Sequence, residues 1–284
     1  MSTSAERPPV GTNARPDLPL AVVVGAGGMA MAIARRLGQR HRLLIADRDE
    51  AHLARQKDAL FIEGHDVRTA VCDVTDEAAV RALAAAADEA GSVRALAHVV
   101  GLSPSMADWR TIMAVNLIGP ALVEQAFRPL LTEGAAAVFI SSLAAHMAAV
   151  PAERMALMEQ PLEPGMLDKV EALLGADATS VRAYGDSKAA LNRLCLRWAA
   201  SWGVKGARVN SLSPGLIASP MGAKEFAVRP AKYDLLAATP IKREGTMLEI
   251  ADAVEFLLSD KASFISGIDL PVDGGVSAAK GFRG

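Results

Sequence analysis

At 284 residues, 51% of them hydrophobic, the chain can bury a full core, and one large domain or two are both within reach. Its 30 Lys and Arg nearly balance 32 Asp and Glu, for a formal net charge of -2. With the two signs interspersed, no nucleic acid and no anionic membrane is expected as a partner. Cys72 and Cys195 lack CxxC or metal-ligand spacing. They read as small core hydrophobes in a reduced compartment, and no metal site is expected.

Residues 1–19, MSTSAERPPVGTNARPDLP, hold several prolines and no apolar h-region. They read as a disordered arm rather than a secretion signal. No apolar run approaches the ~20 residues needed to cross a bilayer, so a cytoplasmic location is expected.

From Leu20 onward strands and helices alternate. Leu20 to Val24 is a short β-branched run, as in a strand buried on both faces. It runs into Gly25-Ala26-Gly27-Gly28-Met29-Ala30 and then a helical stretch, Met31 to Leu37. Strand, glycine turn and helix together suit a dinucleotide pyrophosphate: glycine lets the backbone approach, and the helix start offers free N–H groups. The second strand, Arg42 to Asp47, ends in an acid 22 residues after Gly25. That is near the ~20 expected of a carboxylate that binds ribose hydroxyls, so NAD is expected over NADP, although the neighbouring Arg48 could tolerate a 2′-phosphate.

Val67 to Val71 reads as a third strand, followed by Cys72-Asp73-Val74 and a helix over Ala78–Ala90 capped by Thr75 or Asp76. A fourth strand spans Val93 to Gly101 and carries His98, read as a satisfied core histidine. A long helix over Trp109–Leu131 includes Asn116. The fifth strand, Val138 to Ser142, ends in two hydroxyls, and the sixth, Ala207 to Leu212, is closed by Pro214-Gly215. A helix over Ile250–Leu258 and a strand over Phe264–Val272 complete the series. Such alternation predicts a single α/β domain over 20–284, a Rossmann-like doubly wound parallel sheet. Gly25, Asp47, Gly101, Ser142 and Pro214 would share its carboxyl edge, where ligands bind.

The chemistry centres on Tyr184-Gly185-Asp186-Ser187-Lys188, which opens another helical run. Four residues apart, Tyr184 and Lys188 share a helix face. An ammonium beside a phenol eases its deprotonation and suits it to acid/base work between an alcohol and a carbonyl.

With these residues in place the chain resembles the short-chain dehydrogenase/reductase family from about Leu20 to Gly275. The glycine turn, Asp47, Asp73-Val74, Asn116 in Val-Asn-Leu-Ile-Gly, Ser142, Tyr-x-x-x-Lys, Pro214-Gly215 and Val272-Asp273-Gly274-Gly275 follow in the family's order. The resemblance implies that Tyr184 is the acid/base, while Lys188 lowers its pKa and binds the nicotinamide ribose. Ser142 would hold the substrate oxygen, and Asn116 a helix bend and a relay water. Gly25, Gly27, Gly28, Met29, Asp47, Arg48, Asp73, Val74, Gly101 and Pro214 would line the NAD site, with the Ile217 backbone and Ser219 on the carboxamide. The glycine turn is one residue shorter than the family's usual T-G-x-x-x-G-x-G. His98-Val99-Val100-Gly101 stands where Asn-Asn-Ala-Gly is usual.

Ser142 and Tyr184 lie 42 positions apart, far more than the family's usual separation. The resulting insert, about 148–182, is methionine-rich, with Leu167–Leu174 spaced for a short amphipathic helix. A similar insert occurs in the bacterial 3α-hydroxysteroid dehydrogenase/carbonyl reductase branch. The methionines could close over a bulky, apolar, hydroxysteroid-like substrate together with a lid at about 220–243, or simply pack the insert onto the body. The family resemblance also implies a homodimer or homotetramer. Two other readings use a glycine turn and an acid after the second strand: a nucleotide-sensing binding protein and a methyltransferase. Neither accounts for Ser142, Tyr184 and Lys188 in this order.

Overall fold

The computed structural model describes residues 13–281. The elements run β1 (Leu20–Val24), α1 (Gly28–Leu37), β2 (Arg42–Asp47), α2 (Glu50–Ile62), β3 (Val67–Val71), α3 (Glu77–Ala90) and β4 (Val93–His98). Next come α4 (Trp109–Met113), a π-helical stretch at Ala114–Ile118, α5 (Gly119–Phe127) and β5 (Ala136–Ile140). A short α6 (Ala144–Met147) precedes the insert, which contributes α7 (Ala152–Met158) and α8 (Met166–Leu174). Then follow α9 (Ser180–Gly203), β6 (Arg208–Pro214), β7 (Ile217–Ala218), α10 (Pro220–Val228) and α11 (Ala231–Ala238). The chain closes with β8 (Gly245–Thr246), α12 (Met247–Leu258), β9 (Asp269–Val272) and α13 (Val276–Lys280).

Seven strands form one parallel sheet in the order β3-β2-β1-β4-β5-β6-β9, the expected Rossmann-like arrangement, while β7 and β8 pair separately. Strand periodicity divides the core into two layers. Leu20, Val22 and Val24 pack with Leu83, Phe127, Leu191 and Trp202 on the α3–α5–α9 side. Ala21 and Val23 point the other way, to Ile33, Leu37, Leu53, Ile250 and Leu257 on α1, α2 and α12. The strand order reverses between β1 and β4, so the ligand crevice belongs at their carboxyl ends.

Several boundaries depart from the sequence reading. Residues 13–19 of the expected arm are docked: Asn13 Nδ2 donates to the Phe61 carbonyl at 2.6 Å, and the Arg15 N–H to Asp66 at 2.7 Å. Residues 1–12 lie outside the described residues. Asp76, not Thr75, caps α3 by accepting from the Ala78 N–H at 2.8 Å. The helix expected over Trp109–Leu131 is broken by the π-helical stretch around Asn116, a feature often found at functional sites. The helix α9 begins at Ser180, capped by Thr179, so Tyr184 lies in its second turn rather than opening it.

The last strand is shorter than the apolar run suggested. Asn210 accounts for this: its Nδ2 donates to the Ile265 carbonyl at 3.0 Å and its Oδ1 accepts from the Ile268 N–H at 3.1 Å. A side chain thus takes the ladder's place there, and Phe264 is left fully exposed. The insert packs as core. Met158, Met166, Val170 and Leu174 are buried with Trp109, Ile112, Met113, Ala183 and Leu194.

Candidate active site

The glycine turn fits a pyrophosphate. Gly25 has φ +115°, and a Cβ there would come within 3.2 Å of the Val100 nitrogen, so only glycine fits without strain. Gly27 N-caps α1 with no side chain on the free N–H groups, and it faces open space. That leaves the helix start open to an anion, with Gly28 and Met29 on its rim. Asp47 braces the turn: Oδ2 accepts from the Ala26 N–H at 2.8 Å and Oδ1 from the Asp49 N–H at 3.1 Å. A carboxylate keeps further lone pairs for ribose hydroxyls. His52 supports the turn from α2, its Nε2 lying 2.8 Å from the Ala26 carbonyl.

Asp73 holds Thr75 through its backbone N–H at 2.9 Å and its hydroxyl at 2.7 Å. The backbone bond from Thr75 does most to keep the Asp73 carboxyl below its ordinary range, and the Arg48 guanidinium contributes. Val74 is buried against Gly119.

At the carboxyl ends of β4 and β5 the proposed catalytic residues converge. Asn116 is fully buried, its Oδ1 accepting from the Leu102 N–H at 2.8 Å and its Nδ2 donating to the Leu102 carbonyl at 2.9 Å. Asn116 and Lys188 both flank Gly101: a Cβ there would lie 3.4 Å from Lys188 Nζ and 3.5 Å from Asn116 Oδ1. Lys188 is buried and donates to the Ile140 carbonyl at 2.7 Å. Burial pulls its pKa down to about 8.

Ser142 stands just past β5 and accepts from the Ala144 N–H at 3.2 Å. Ser141 is turned away toward the Lys188 carbonyl at 3.2 Å. Tyr184 is half-buried, close enough to Ser142 for the two hydroxyls to interact. Burial pushes the phenol up, the Ser142 hydroxyl pulls it back, and the charges of Glu225 and Arg229 oppose each other. The sequence suggested that Lys188 would lower this pKa, but here its ammonium is committed to the Ile140 carbonyl and the net shift of Tyr184 is upward.

Ile217 is buried just beyond Pro214, where β6 ends. The Ser219 hydroxyl caps α10, accepting from the Gly222 N–H at 3.0 Å.

Three features were not legible as functional in the sequence. Glu225, the one acid in the lid segment Pro220–Val228, is buried beside the site rather than solvated. Arg154 of the insert meets Asp186, inside the Tyr-x-x-x-Lys segment, at 2.8 Å. His98 is core as expected but not fully satisfied, because it stacks on Phe139 and its Nε2 has no partner.

Residues 24–163 and 169–277 match the family model described as Enoyl-(Acyl carrier protein) reductase. A short-chain dehydrogenase/reductase, bsc3, of Alternaria brassicicola is 33% identical over 90% of this chain and 95% of its own length. The chain belongs to the short-chain dehydrogenase/reductase family. Within that family it is 33% identical to a galactitol 2-dehydrogenase (L-tagatose-forming) of Cereibacter sphaeroides, over 92% of this chain and 96% of that one. A 3-alpha-hydroxysteroid dehydrogenase/carbonyl reductase of Comamonas testosteroni is 31% identical over 63% of this chain and 70% of its own. The five residues left unmatched by the family model, 164–168, fall within the insert. The protein is thus an oxidoreductase of alcohol and ketone substrates, and its fold binds a nicotinamide dinucleotide.

Proposed function

We propose that the protein interconverts a secondary alcohol and its ketone with NAD(H), Tyr184 acting as the acid/base. The observation that carries this reading is Tyr184, half-buried beside Ser142 and one helical turn from a buried Lys188. The nicotinamide, when bound, gives or accepts the hydride. Ser142 would orient the substrate oxygen and Tyr184 would exchange its proton. Because burial keeps the phenol protonated, it is set to donate to a ketone oxygen, while alcohol oxidation requires the phenolate and should gain from rising pH. Lys188 and Asn116, on either side of Gly101, would hold the ribose side of the cofactor and a proton path. Asp47, Asp73 and Val74 would hold the adenosine half, and Ile217 and Ser219 the carboxamide.

NAD over NADP rests on Asp47, whose charge would repel a 2′-phosphate. The wild type should show higher kcat/KM with NAD on a secondary-alcohol panel, and Asp47→Ser should shrink that preference. Equal or better kcat/KM with NADP in the wild type contradicts the assignment.

Of the methionines that suggested a bulky hydroxysteroid-like substrate, Met158 and Met166 are packed as core and Met155 lies against it, while Met147 is exposed, so packing of the insert accounts for most of them. A cytoplasmic location and a homodimer or homotetramer complete the reading.

A further inference from the structure

A histidine on α6 makes a buried hydrogen bond that the proposed chemistry does not use. His146 Nε2 lies 2.7 Å from Asp269 Oδ2, and the two side chains are only 8% and 12% exposed. An ionised carboxylate can only accept, so the imidazole donates from Nε2. The other oxygen, Asp269 Oδ1, accepts from the Ser211 hydroxyl at 2.7 Å, and Ser211 stands opposite Asp269 in the β6–β9 pairing. One carboxylate thereby joins α6, β6 and β9.

What this clamp holds is the segment that carries Ser142. With four residues, α6 is too short to persist as a helix without tertiary support. Its first turn is built on Ser142: the Ser142 hydroxyl accepts from the Ala144 N–H at 3.2 Å, and the Ser142 carbonyl from the Ala145 N–H at 2.9 Å. Beside it, the Leu143 N–H donates to the Pro214 carbonyl at 2.9 Å. Just past α6, Ala148 packs on α9 next to Tyr184, since a Cβ on Gly185 would lie 3.4 Å from the Ala148 Cβ. The segment is therefore gripped at α9 by packing and at β9 by His146, with Ser142 at its start.

We propose that His146 is a positioning residue that acts through Ser142, pinning α6 to Asp269 so that the Ser142 hydroxyl stays beside Tyr184. This rests on Ser142 orienting the substrate oxygen, as in the proposed function. An apolar side chain of similar size at position 146 would fill the space but leave Asp269 short of a donor and α6 free to shift. A shift of about 1 Å at a reacting group can cost about 100-fold in rate.

A double-mutant cycle tests the proposal, read on single-turnover reduction by NADH of whichever of cyclohexanone, 2-octanone and acetophenone the wild type reduces fastest. His146→Leu should slow that reduction by about 10- to 100-fold while NADH affinity stays within about 2-fold. His146→Gln, whose amide N–H can stand in for Nε2–H, should return the rate to within about 3-fold of wild type. In a Ser142→Ala background, His146→Leu should cost less than about 3-fold more, because the hydroxyl it positions is gone. A loss there as large as in the wild-type background overturns the proposal and makes His146 a fastening of the fold only. A His146→Leu enzyme as fast as the wild type also overturns it. If His146→Leu does not fold, Asp269→Asn, which weakens the clamp from its other end, is read in the same cycle. Wild-type rates in Ser142→Ala overturn the role of Ser142 and this proposal with it, while leaving Tyr184 as the acid/base. A wild type that reduces none of the ketones overturns the proposed function as well.

Discussion

A buried imidazole near Lys188 constrains how this protein responds to acid. His98 is 1% exposed, and burial together with the Lys188 charge pulls its pKa down to about 3 from the ordinary 6.5. Below pH 6.5 the unfolded chain takes up a proton here that the native state refuses until about pH 3, so stability drains as pH falls through that window. Between pH 7 and pH 5 this group alone should remove about 2 kcal/mol. His98→Phe, which keeps a ring against Phe139 but cannot titrate, should lose less stability over that range in urea unfolding. An identical pH dependence in both proteins would show that the neutral imidazole does not hold this role. At the same scale, the readable residues were those whose chemistry depends on local spacing: Tyr184 with Lys188, and Asp47 with its glycine turn. Glu225 and Arg154 were unreadable because their significance comes from partners 120 and 32 positions away, Ser105 and Asp186.

Among the elements, the sheet was legible because most strands are short apolar runs that alternate with longer helical stretches. β1, β2 and β3 fall where the sequence placed them, β4, β5 and β6 shift by a few residues at their ends, and β9 was overextended where Asn210 supplies side-chain bonds in place of a ladder. The helix through Asn116 was anticipated but its π stretch was not, since no periodicity marks an inserted residue. The insert was seen as a length anomaly, while its packing needed the structure. It is bound to the catalytic helix by cluster burial and by Arg154 with Asp186, 8% and 2% exposed. Their atoms touch at 2.8 Å yet are poorly aligned for a hydrogen bond, so attraction between the charges is the main gain. Burial keeps the Asp186 carboxyl above its ordinary range despite the attraction of Arg154. Arg154→Met should therefore destabilise the protein by up to about 3–5 kcal/mol, because a buried carboxylate keeps only the more distant charge of Arg182, and adding Asp186→Leu should recover much of the loss. Thermal melts would check this cycle. A single variant as stable as the wild type would show that the pair contributes nothing to holding the insert.

The whole molecule leaves large apolar side chains at its surface: Val181 and Leu196 on α9, Leu248 and Phe256 on α12, and Phe264 beyond it. A symmetric homo-oligomer would cover them, and light scattering at micromolar concentration should give two or four times the 29.7 kDa chain mass. A monomer there would refute the association. The central proposal is that the Tyr184 hydroxyl moves the proton while hydride is exchanged with the cofactor. Tyr184→Phe keeps the ring packing and removes only that hydroxyl. Single-turnover NADH oxidation with a ketone, measured beside NADH affinity, tests the claim most directly. The account predicts that turnover falls by more than about 100-fold with affinity nearly unchanged. A variant that still turns over at a tenth of the wild-type rate would contradict it.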